Sequence, residues 1–279
     1  MQAIHSNWTK PRTDRTGSFH IDDFEILTTI LSALKWREHN GKIKMATDSL
    51  GLDFYKSRDL CCVWDEVTTE LDDIPEFVNA EMFWAAGKIY SLKNTTAPIA
   101  VMDTDFIVWD KLAFDKLNDI TVIHREELYP DVYPDFSAFN MDSEYIFDKS
   151  YNASVKPLNC AFYVLKNEQL KNRYVKDAGK FIKHAKAGDN LTYMVFAEQR
   201  LLGLCADLLG IRVDEFSTIE KLFKDGEKYF THTWGMKEQM RQNEQLRYDF
   251  CRRCIDRINA DFGEFMPILR KIPEIEIYF

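Results

Sequence analysis

The stretch PIAVMDTDFIVWDKL, residues 98–112, decides how this chain is read. Four apolar residues, Ile99 to Met102, run directly into Asp103, Thr104 and Asp105, and a second apolar run follows at 106–109. Ionised carboxylates are costly to bury unless something pairs with them. The two acids therefore either lie at a strand end facing water or hold a cation. Alternate residues of an extended chain point to the same side, so Asp103 and Asp105 can share one target while Thr104 turns away. Two hard carboxylate oxygens suit Mg²⁺ or Mn²⁺, which also take water and phosphate oxygens. In an open α/β sheet ligands bind at the carboxyl ends of the strands, where a strand ending at Asp103 places its first acid.

Outward from this stretch, apolar strands alternate with helices. QAIHSNW and KIKMATD read as strands, separated by a helix with Phe24, Leu27, Leu31 and Leu34 on one face and Asp22 and Asp23 at its start. GLDFYKSRDL reads as a short helix, residues 79–93 as a further helix leading into the opening strand, and DITVIHR and NCAFYVL as strands. Helices are expected at 168–186 and 191–209, and the segment 237–262 reads as strongly helical. This alternation predicts βαβ units: an α/β fold with a mixed, mostly parallel sheet flanked by helices and a helical C-terminal part. Residues 127–156 break the pattern with Pro130, Pro134 and many aromatics and acids. A long irregular excursion of this kind is either functional or a packed surface loop. No linker divides the chain, so one domain is expected over 1–279.

The chain has 279 residues, 46% hydrophobic and 29% charged, the composition of a globular protein with a sizeable core. Its 36 basic against 45 acidic residues give a net charge of −9, which argues against nucleic acid as a partner. No run of about 18 apolar residues or signal-type h-region is present, so no membrane span and a cytoplasmic location are expected. Of six cysteines, the CRRC pair Cys251 and Cys254 cannot alone make a four-ligand zinc site. Their spacing instead fits a helix face with Ile255, Ile258 and Phe262.

The stretch APIAVMDTDFIVWDKL resembles the Asp-x-Asp strand of GT-A-fold glycosyltransferases, in particular the glycogenin and lipopolysaccharide galactosyltransferase type. Four further pieces occur in that family's order. MFWAAGKIYSL resembles the helix with a basic residue facing the nucleotide, which maps Lys88. NCAFYVL resembles the strand whose Asn touches the donor sugar, which maps Asn159, with Cys160 and Ala161 in place of the usual Ala-Gly. AEQRLL resembles the segment near the sugar, mapping Glu198 and Gln199. THTWGMK resembles the His-x-x-Gly segment, mapping His232, Gly235 and Lys237, although the Lys comes one residue early and the usual Pro-Trp is absent.

The resemblance implies a hexosyltransferase that uses Mn²⁺ or Mg²⁺ and a nucleotide-sugar donor, UDP-linked, with a carbohydrate-type acceptor. Asp103, Asp105 and His232 are then the expected metal ligands, and an imidazole among them favours Mn²⁺. Lys88 and Lys237 are expected beside the diphosphate, and Asn159, Glu198 and Gln199 at the sugar, with Glu198 and Gln199 as the catalytic pair. HSNW and ATDS end strands, so Asp48, and more distantly Trp8, are expected near the nucleoside. Residues 1–125 form the nucleotide-binding half, 126–236 the donor and acceptor half, and 237–279 the helical C-terminal segment. Each residue also has an ordinary alternative: a solvated helix lysine, a strand-end Asn, an exposed Glu-Gln pair, a hydrogen-bonded loop histidine. A haloacid-dehalogenase-type phosphotransferase expects its Asp-x-Asp near the N-terminus, and HSNWTKPRTDRTGS offers a nucleotidyltransferase loop only Gly17. A nucleotidyltransferase and a catalytically inactive binding or scaffold protein of this fold stand as the alternatives.

Overall fold

The computed structural model describes residues 1–224 and 226–279. Seven strands form the main sheet: β1 (Gln2–Asn7), β2 (Ile43–Thr47), β3 (Glu66–Thr68), β4 (Ile99–Met102), β6 (Ile120–Val122), β7 (Phe162–Leu165) and β8 (Val213–Glu215). Their order is β3-β2-β1-β4-β7-β6-β8, and all neighbours are parallel except where β7 runs against β4 and β6. A two-stranded ribbon pairs β5 (Phe106–Val108) with β9 (Phe230–His232). The mixed, mostly parallel sheet flanked by helices, with a helical C-terminal part, is the architecture the alternation predicts. The central strands are buried on both faces, β2, β4, β6 and β7 along their whole length, as covered strands must be.

Helix α1 (Asp23–His39) opens with a capping box between Asp22 and Glu25. Its residues from Asp23 to Trp36 are all buried, so the single apolar face expected from the sequence is only part of what it hides. The reason is long-range: α9 (Glu244–Asp261) covers the side that a 17-residue window would assign to solvent. Cys251, Cys254, Ile255 and Ile258 of α9 are buried in the same core cluster as α1, as the CRRC spacing predicts. At that contact Lys35 of α1 reaches Asp261 of α9 at 2.5 Å.

Between these lie α2 (Ser49–Ser57), α3 (Ala86–Lys93), α4 (Glu168–His184), α5 (Asn190–Val195), α6 (Leu201–Leu208), α7 (Ile219–Leu222) and α8 (Lys237–Gln242). Three helical expectations need correction. The 79–93 helix begins only at Ala86, because the Asn79 side chain accepts from Glu81 N and Met82 N and closes its own turn. The 191–209 helix is split by a π turn at Phe196–Arg200. The 237–262 helix breaks at Asn243, which is extended and caps α9 by accepting from Leu246 N. Residues 127–156 are irregular, as expected, apart from a short 3-10 turn at Phe136–Ala138. Among the described residues no helix is long and apolar enough to cross a membrane.

Candidate active site

The chain builds β1, β2 and β3 outward in one direction and then returns to lay β4 on the other side of β1. That reversal leaves a crevice at the carboxyl ends of β1 and β4, where open α/β sheets bind ligands. The last registered pair is His5 with Met102, so Ser6 and Asp103 are the next residues out. Both line a cavity of about 580 Å³ at this point.

Asp103 is held at the strand end because its N–H donates to Ala161 O at 2.8 Å. Phe106 N then donates back to Asp103 O at 3.0 Å, which turns the chain and carries Asp105 inward. The β5–β9 ribbon sets Phe106 opposite His232 and so brings the imidazole to the acids. One carboxylate oxygen from each Asp and one ring nitrogen of His232 lie within 4.8 Å of one another. Two hard oxygens and an imidazole nitrogen form a donor set that fits a divalent transition ion such as Mn²⁺. Burial lowers the His232 pKa against the opposing pull of Asp105 and Asp103, so the ring is neutral near pH 7, the form that ligates metals.

Asp105 is 4% exposed and its charge is answered on several sides. Thr233 Oγ1 donates to its Oδ2 at 2.9 Å, and Lys237 Nζ lies 3.0 Å from the same oxygen. Burial raises the Asp105 pKa, but Lys237 and His232 outweigh it and hold the carboxyl below its usual range. Lys237 is tied in turn to Glu25 of α1 at 3.7 Å, and Glu25 also takes Arg12 at 2.6 Å.

Lys88 projects from α3 between Asp103, at 2.7 Å, and Glu198, and donates to Cys160 O at 3.2 Å. Burial pulls its pKa down, yet the two carboxylates raise it well above the usual lysine value. Glu198 and Gln199 sit on the π turn, whose widened pattern frees their carbonyls for partners outside the helix. Tyr174 donates to Glu198 O at 3.0 Å and Leu158 N to Gln199 O at 3.2 Å. Burial and the Asp103 charge raise the Glu198 pKa against Lys88. Asn159 lines the same cavity. Its Oδ1 accepts from Ala161 N at 3.0 Å and its Nδ2 donates to Glu126 Oε1 at 2.7 Å.

The structure thus brings Lys88, Asp103, Asp105, Asn159, Glu198, Gln199, His232 and Lys237 to one cavity, with Trp8 on its wall. Asp48 is placed differently. Its carboxylate caps α2 through Gly51 N at 2.9 Å and also accepts from Thr9 N and Thr9 Oγ1, both at 2.8 Å. It is not among the cavity's lining residues, and these bonds give it a role in the fold. Sequence reasoning missed Glu126, Tyr133 and Thr233. The first two border or belong to the irregular excursion, whose aromatic richness marked the segment without singling out a residue. Thr233 lies inside THTWGMK beside the histidine that drew the eye.

Among solved structures the chain is similar to the PaToxG glycosyltransferase, at 13% identity and TM-score 0.38, covering 75% of this chain and 78% of that one. It is similar also to mouse xyloside xylosyltransferase 1, at 13% identity and TM-score 0.41, covering 76% and 84%. A third is the galactosyltransferase LgtC in complex with donor and acceptor sugar analogs, at 7% identity and TM-score 0.39, covering 80% and 74%. No curated protein matches the sequence. A family of unknown function, DUF6734, matches across residues 1–243, and the chain belongs to that family.

Proposed function

We propose that the chain is a divalent-metal-dependent glycosyltransferase that moves a hexose from a nucleotide-sugar, UDP-linked, to a glycan or other carbohydrate-type acceptor. The observation that carries this reading is the Asp103–Asp105–His232 group lining a roomy cavity at the switch point of the sheet, with Lys88 and Lys237 beside it. Asp103, Asp105 and His232 would hold the ion, which when bound supplies Lewis-acid stabilisation of a leaving diphosphate. Three carboxylates, Asp103, Asp105 and Glu198, share two ammonium groups here, and that imbalance favours an added cation.

The chain's own residues supply the rest. Lys88 and Lys237 are fixed positive charges, oriented before any ligand arrives, where negative charge develops on the leaving group. Glu198 holds Lys88, and because its carboxylate is committed to that pair it acts through the lysine. Asn159 and Gln199 read the sugar by hydrogen bonds, the contacts that discriminate most sharply because a wrong sugar leaves them unpaired.

A panel of nucleotide-sugars with Mn²⁺, read by nucleoside diphosphate release, tests this reading. Asp103→Ala and the near-isosteric Asp105→Asn are each expected to lower Mn²⁺-dependent UDP-sugar hydrolysis roughly a hundredfold or more, the size of losing a main electrostatic contributor. Full activity in either variant would overturn the metal assignment. Failure of UDP with Mn²⁺ to raise the thermal midpoint of the wild-type protein, together with no hydrolysis of any donor, would favour the binding or scaffold alternative.

A further inference from the structure

The excursion at 127–156 begins where Glu126 N donates to Pro157 O at 2.9 Å, beside the Arg125–Leu158 bridge, so its two ends are closed together. It contributes Tyr129, Val132 and Tyr133 to the cavity wall, and Glu126 lies at its base. Tyr133 is fixed in a turn by donation from its own N–H to Tyr129 O at 2.8 Å, and Pro134 restricts its backbone further. From there its hydroxyl donates to Gln199 Oε1 at 2.5 Å.

We propose that Tyr133 and Glu126 are positioning residues that fix Gln199 and Asn159 so that both present N–H donors to the donor sugar. This rests on the reading of the cavity as a nucleotide-sugar site. With its carbonyl oxygen turned to Tyr133, Gln199 offers Nε2 as its remaining face. Asn159 spends Oδ1 on Ala161 N and one Nδ2 hydrogen on Glu126, so a second Nδ2 hydrogen remains. Neither remaining donor has a hydrogen-bond partner among the described residues. The sugar hydroxyls that meet these two residues must then act as acceptors.

Two measurements test the lock. In protein labelled with ¹⁵N at glutamine side chains, the Gln199 amide pair is assigned by its absence in Gln199→Ala. Tyr133→Phe is expected to shift that pair, and an unmoved pair overturns the proposal whatever the enzyme's activity. The same experiment with ¹⁵N-asparagine reads Asn159 in Glu126→Ala. In UDP-sugar hydrolysis with Mn²⁺, Tyr133→Phe is expected to lower kcat/KM for the donor about tenfold, the worth of one hydrogen bond. It should cost nothing further in the Gln199→Ala background. Losses that simply multiply would overturn the coupling. If the wild-type protein cleaves no nucleotide-sugar, the functional reading falls, and the amide spectra still decide whether Tyr133 sets Gln199.

Discussion

Lys88 illustrates how one side chain can be both structural and chemical. Its ammonium is the shared counter-charge of Asp103 and of Glu198, whose side chain is only 8% exposed. Removing one partner of a buried pair costs more than the pair is worth, because the other charge is left without compensation. Lys88→Met is therefore expected to destabilise the fold by about 3 kcal/mol, measured from urea unfolding. Adding Glu198→Gln should recover part of that stability, since the uncompensated buried charge is then gone, but should not recover activity. A double variant no more stable than Lys88→Met alone would show that the lysine's packing, not its charge, is what the fold requires. The lysine on its own looked like any solvated helix residue. What made it legible was the family resemblance, which places a basic helix residue ahead of the Asp-x-Asp strand.

At the scale of elements, the position of Lys88 depends on how closely α3 approaches β1. Gly87 allows that approach: a Cβ there would meet Ser6 Oγ at 2.6 Å, Leu71 Cδ1 at 3.1 Å and Trp8 Cβ at 3.1 Å. Ser6 Oγ is buried with no hydrogen-bond partner among the described residues, so it is the atom that must give way. Gly87→Ala is expected to cost about 1–3 kcal/mol, the usual penalty for overpacking, and to lower hydrolysis by moving Lys88. Ser6→Ala in the same chain should return most of the stability, and failure to do so would place the clash at Leu71 or Trp8. The elements differed in how far they could be read ahead of the structure. β4 and its acids were legible because an apolar run ends in polar residues within one short window. The π turn was not, because a single extra residue in a turn leaves the apolar spacing of 191–209 nearly intact. Tyr133 was not, because an irregular segment has no period from which to infer where a side chain points.

Across the whole molecule, acid should weaken the fold through His5. This histidine on β1 receives a hydrogen bond at Nδ1 from Trp64 Nε1 at 3.2 Å, and its Nε2 lies 3.0 Å from Ser32 Oγ of α1. Ser32 in turn donates to the carbonyl of Phe106 on β5. The chain of bonds links the sheet, α1 and the ribbon that carries His232, and it needs a neutral ring, since Nδ1 must accept. Burial pushes the His5 pKa down to about 3, against a smaller opposing effect of Asp105. The unfolded chain takes up this proton below the ordinary value of 6.5, and the folded chain does not until about 3. His5 therefore adds stability above pH 6.5 that is lost as the pH falls through that window, at about 1.4 kcal/mol per pH unit. His232, whose pKa burial also lowers, contributes with the same sign. Urea unfolding at pH 7.5 and pH 4.5 should show a loss of roughly 2–3 kcal/mol from His5 alone. His5→Gln, which keeps a donor and an acceptor but cannot take the proton, is expected to be less stable at pH 7.5 and to lose correspondingly less on acidification. An unchanged pH dependence in His5→Gln would assign the acid sensitivity to His232 and the carboxylates, and would leave the Trp64–His5–Ser32 chain a packing feature without a role in titration.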